Sequence, residues 1–75
     1  MNINADEIDK KVGMNVRIER IKRSLSQEKL AELADICTTT VGTVERGDQS
    51  PSIQTIAKIA NALNVEIHKL FIFEE

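Results

Sequence analysis

At 75 residues the chain can hold one domain with one small core. With two phenylalanines and no Trp or Tyr, that core must be filled by Ile, Leu, Val and Ala, a composition that favours packed helices over a sandwich. One cysteine, Cys37, excludes an intramolecular disulfide and a cysteine cluster, and one histidine, His68, leaves a histidine metal site without a second ligand. The formal charge is −2, but five of the twelve acids (Asp6, Glu7, Asp9, Glu74, Glu75) lie at the ends, so residues 10–73 carry +3. That balance permits a polyanionic partner without requiring one. No apolar run approaches the ~20 residues of a membrane span and the first residues lack a signal-peptide pattern, which predicts a cytoplasmic protein.

Periodicity and punctuation predict five short helices, no strand and no low-complexity linker. The first spans about Asp6 to Arg23, with Ile8, Val12 and Val16 at i, i+4 spacing, and Ser24-Leu25-Ser26 breaks it. Ser26 caps the second, which carries Gln27 and Glu28 in its first turn, Leu30, Ala31, Leu33 and Ala34 behind them, and ends near Asp35. The third runs from Thr38 to Arg46 with Val41 and Val44 inward, and Gly47 stops it. Gly47-Asp48-Gln49-Ser50-Pro51 is the strongest loop signal in the chain. A fourth helix covers Ser52 to Ala62, with Ile53, Ile56, Ala57, Ile59, Ala60 and Leu63 at helical spacing and Asn64 as the residue that ends it. The fifth covers about Glu66 to Phe73.

The short break between the second and third helices is the spacing of a helix-turn-helix. Ala31, small and four residues before the turn, lets the next helix cross closely, with Leu30, Ile36, Val41 and Val44 filling the wedge. Asp35 stands where a positive φ is needed and can adopt it at modest cost.

Three stretches fall in order at family spacing: Leu25-Ser26-Gln27-Glu28-Lys29-Leu30-Ala31-Glu32-Leu33, then Val44-Glu45-Arg46-Gly47, then Ser50-Pro51-Ser52-Ile53 with Ile56 to Val65. In these the sequence resembles the Cro and lambda-repressor-like, or Xre-type, helix-turn-helix regulators, from Val12 to Phe71. The resemblance implies an all-α, compact five-helix DNA-binding domain over residues 10–73, with 1–9 as an N-terminal extension and 74–75 as an acidic end. It also implies that the third helix enters the major groove of double-stranded DNA, with Thr38, Thr39 and Thr43 at base edges. Gln27, Arg46, Gly47, Gln49 and Ser50 then contact phosphates. Arg20 and Glu45 match the family's structural ion pair. Threonine discriminates bases less than a bidentate arginine, so modest specificity per half-site is expected.

Gly42 has two readings: clearance for DNA, or a tolerated residue on an exposed face. Cys37 occupies a capping position, where a passive small residue is favoured over a redox switch. Met14, Ile18, Ile21 and Leu25 form a second apolar stripe on the first helix, which needs a cover from Ile3 and Ile8 or from a second subunit. Leu70, Phe71 and Phe73 are expected at a homodimer interface, pairing two half-sites of a two-fold operator. No catalytic constellation, metal set or cofactor motif is present, so a non-enzyme without cofactor is expected. The leading function is a transcription regulator, as a repressor or a restriction-modification controller. The alternative is an antitoxin-type module that neutralises a toxin partner.

Overall fold

The computed structural model describes residues 4–73. Four α-helices, α1 (Ile8–Lys22), α2 (Gln27–Ala34), α3 (Thr38–Arg46) and α4 (Ile53–Leu63), are followed by a 3-10 turn, Ile67–Phe71. The expected fifth helix is therefore one 3-10 segment. Its end is held by Asn15 on α1, whose amide donates to the carbonyls of Leu70 and Ile72 at 3.0 and 2.9 Å. That grip anchors the end of the segment, where Ile72 turns extended.

Each α-helix ends on one left-handed residue: Ser24 (φ 56°), Asp35 (57°), Gly47 (72°) and Asn64 (57°). At every one of them the next amide bonds back into the last turn, as Ile36 does to the Ala31 carbonyl and Asp48 to that of Thr43. Ser26 and Ser52 accept from the amides of Lys29 and Thr55 and so fix the starts of α2 and α4. Cys37 starts α3 without a side-chain bond.

The core is aliphatic as composition demands, with Val16, Leu30, Val41, Ile59, Leu63 and Leu70 fully enclosed. Val12, Ala31, Val44 and Ile56 close it, and Ile36 packs half-buried at its edge. Where α1 crosses the end of α3 the two backbones nearly touch. A Cβ on Gly13 would overlap the Val44 carbonyl oxygen and lie 2.8 Å from that of Glu45. Similarly, a Cβ on Gly47 would meet the Lys10 backbone nitrogen at 2.8 Å. Only glycine at position 13 lets α1 sit this low on α3.

Three expectations are corrected. Leu33 is exposed, and Ile53, first residue of α4, is 82% exposed. Helical periodicity counted both as inward, but each projects away from the helix's buried side. Ile8 does not cover the stripe on α1: it packs toward the core beside Val12 and Ile56, leaving Met14, Ile18 and Ile21 exposed. Ile3 and the acidic end at 74–75 lie outside the described residues.

Candidate nucleic-acid interface

Thr38 and Thr39 occupy the first turn of α3 and are exposed, because that turn extends beyond the contact with α1 and α2 that buries Val41 and Val44. Thr43, one turn on, is half-buried and its hydroxyl donates to the Thr39 carbonyl at 2.9 Å. Its proton is thereby spent inside the helix, while its oxygen can still accept and its methyl can still pack. Thr39 and Thr43 share a hollow of about 290 Å³ with Gln49, Ser50, Pro51 and Thr55. Thr55 was not legible as a site residue, since α4 carries it in from twelve positions along the chain.

At the other end of α3 lies a polar cluster on Glu45. Arg20 grips this carboxylate with two bonds, Nε to Oε2 at 2.7 Å and Nη2 to Oε1 at 3.0 Å, and its third nitrogen donates to the Leu25 carbonyl at 2.8 Å. The side chains are 13% and 4% exposed, and the bond to Glu45 raises the Arg20 pKa above its ordinary value. Gln27 adds a bond from Nε2 to Glu45 Oε1 at 3.1 Å. The first residue of α2 is thus tied to the last turn of α3 through one carboxylate. That link fixes the angle of the two helices.

Gly42 is buried, which removes the reading of a tolerated residue on an exposed face. A Cβ there would stand 3.0 Å from Arg46 Nη1 and 3.8 Å from Gln27 Oε1. The missing side chain gives the Arg46 guanidinium room to fold back toward Gln27. Arg46 also pairs with Asp48, Nε to Oδ2 at 2.8 Å, and Ser50 donates to Asp9 at 2.6 Å. Gln27 and Arg46 thus flank Gly42, while Gln49 and Ser50 line the threonine hollow and Gly47 lies under Lys10.

Of the residues expected at a dimer interface, Leu70 is fully enclosed in the chain's own core and is withdrawn from that role. Phe71 is 45% exposed, whereas Phe73 is half-buried with the Lys11 ammonium 5.8 Å from its ring centre. Beside Phe71 runs a largely apolar groove of about 370 Å³ lined by Ile8, Val12, Pro51, Ile53, Ile56 and Ile67, with Asp9 its one charged member. Cys37 and His68 are both exposed. Among the described residues no cluster of metal ligands occurs and no helix is long and apolar enough to cross a membrane.

Residues 16–70 match the model of a family described as helix-turn-helix, which spans both helices of the motif and the cluster on Glu45. The chain belongs to the helix-turn-helix family. It is 38% identical over 64 residues to the control protein C.SmaI of Serratia marcescens, with 85% of this chain and 76% of that protein covered. The crystal structure of the restriction-modification controller protein C.AhdI from Aeromonas hydrophila superposes with a TM-score of 0.82 at 41% identity, over 84% of this chain and 96% of that one. SinR, a master regulator for biofilm formation solved in complex with DNA, gives 0.77 at 31% identity, over 81% and 98%. The all-α helix-turn-helix fold and a DNA-binding transcription regulator are thereby established for this chain. The family is one of transcription regulators.

Proposed function

We propose that this helix-turn-helix regulator binds a two-fold operator as a homodimer in the cytoplasm, and that it acts as a repressor or as a restriction-modification controller rather than an enzyme. In this reading α3 enters the major groove with Thr38, Thr39 and Thr43 at base edges. Gln27, Arg46, Gly47, Gln49 and Ser50 hold the flanking phosphates. The observation that carries the reading is the exposed first turn of α3, on a helix whose last turn is tied to α1 and α2 by the Arg20, Gln27 and Glu45 cluster. An exposed helix end with polar side chains outward, where Thr38 has no side-chain partner among the described residues, fits a groove better than a core. The controller assignment rests on similarity to C.SmaI and C.AhdI.

Phe71 with Ile53 and Ile67 is the surface we assign to the second subunit, in place of the buried Leu70. Phe73 contributes at its edge.

Selection of bound duplexes from a random pool, at about 50 and about 200 mM salt, tests the proposal. A two-fold symmetric consensus is expected. Replacing Thr38, Thr39 and Thr43 together by Ala should erase the consensus while leaving salt-sensitive binding to any duplex. A pool that remains random with the wild-type protein would overturn the reading.

A further inference from the structure

Two of the side chains assigned to phosphates are already occupied by carboxylates of the same chain. Ser50 Oγ donates to Asp9 Oδ2 at 2.6 Å, and Arg46 Nε donates to Asp48 Oδ2 at 2.8 Å. We propose that Asp9 and Asp48 are internal competitors for DNA phosphate, and that they set how weakly the protein holds DNA lacking its operator. The inference rests on the phosphate contacts of the proposed function.

A carboxylate and a phosphate offer the same thing to these donors, an anionic oxygen. A serine hydroxyl has one proton, so a bond to Asp9 excludes a bond to phosphate. Arg46 keeps its terminal nitrogens, but the edge that includes Nε is engaged by Asp48.

Neither acid is placed by chance rotation of a long surface side chain. Asp9 stands in the first turn of α1, half-buried, next to Lys10, whose backbone lies against Gly47. The low crossing of α1 on α3 at Gly13 therefore fixes Asp9 over the loop that carries Ser50. Asp48 is held by its own amide, bonded to the Thr43 carbonyl at 3.1 Å.

Binding to a duplex without the operator depends almost entirely on phosphate neutralisation. Both acids sit where they subtract from it, through competition for the donor and through repulsion of the incoming phosphate. Threonine readers add little discrimination per base, so a low background is the other route to selectivity. The net charge of −2 is then partly a local device, with two acids positioned at the phosphate grips.

The test compares Asp9→Asn, Asp48→Asn, their double variant and Glu66→Gln by fluorescence anisotropy. The probes are a random duplex and the selected operator, each at about 50 and about 200 mM salt. Glu66→Gln makes the same change in net charge at the start of the 3-10 turn, away from α3. Each Asp→Asn variant should tighten binding to the random duplex about two- to fivefold at the lower salt, the range expected for release of one exposed pair. The double variant should reach about tenfold, and the gain should shrink at the higher salt. Glu66→Gln should stay at the wild-type value.

Asp→Asn variants that bind the random duplex no better than Glu66→Gln, or more weakly, overturn the inference and leave the proposed function standing, provided the wild type selects an operator. A wild-type chain that binds neither duplex overturns both.

Discussion

Arg20 and Glu45 form the most enclosed ion pair among the described residues, and neither can lose its partner cheaply. Arg20→Ala strands a carboxylate at 4% exposure, leaving it only the Gln27 amide. A loss of about 3 kcal/mol in urea unfolding is expected. The two buried glycines on α1 and α3 should respond in opposite senses. At Gly13 an added methyl meets the rigid backbone of Val44 and Glu45, so Gly13→Ala should cost about 3 kcal/mol or prevent folding. At Gly42 it meets the end of the flexible Arg46, so Gly42→Ala should gain up to about 1 kcal/mol of helix propensity while displacing the guanidinium from Gln27. Thermal unfolding and DNA affinity measured on the same variant would separate the two effects: a Gly42→Ala chain that is more stable yet binds DNA more weakly is the expected outcome.

Of the three helices α2 to α4, only α3 has its ends treated unequally. Gly47 closes it in the left-handed region, but Cys37 opens it with no side-chain bond, although Ser26 and Ser52 both cap their helices. Cys37→Ser should supply the missing acceptor and stabilise the protein by about 0.5–1 kcal/mol, measured by chemical unfolding. Ser26→Ala should lose about 1 kcal/mol by the same measurement. The boundaries of α2, α3 and α4 were legible to within a residue because their signals are local: capping serines before α2 and α4, and Asp35, Gly47 and Asn64 after the three helices. The last segment was not: its end is held by Asn15, more than fifty residues earlier in the chain. Periodicity has no means of registering a side chain from α1 that claims carbonyls at the other end of the molecule.

At the scale of the whole molecule, two apolar surfaces stay uncovered among the described residues: the stripe of Met14, Ile18 and Ile21, and the groove beside Ile53, Ile67 and Phe71. The second is the one assigned to the other subunit. Charge placed there should separate the subunits without unfolding them, since Ile53 is 82% exposed and contributes little to the chain's own core. Ile53→Glu is therefore expected to sediment as a monomer at tens of micromolar, roughly, with unchanged helicity and weaker operator binding. A dimer that persists in this variant would place the subunit contact elsewhere.

The sequence by itself determined the four α-helices, the ends of α2 to α4 and the helix-turn-helix, because caps, left-handed stops and i, i+4 patterns act within a few residues of one another. It also placed Arg20 opposite Glu45 through the family resemblance, and the structure brings them to 2.7 Å. What only the tertiary structure decided involves partners distant along the chain. Gly13 sets how low α1 lies on α3, and Asn15 sets how the chain ends its last turn. The same packing takes Leu70 into the core and turns Ile53 out of it, which moves the expected subunit surface. It also lays Asp9 on Ser50, forty-one residues apart. Close backbone approach and side-chain capture depend on the relative placement of helices, and no local pattern encodes that placement.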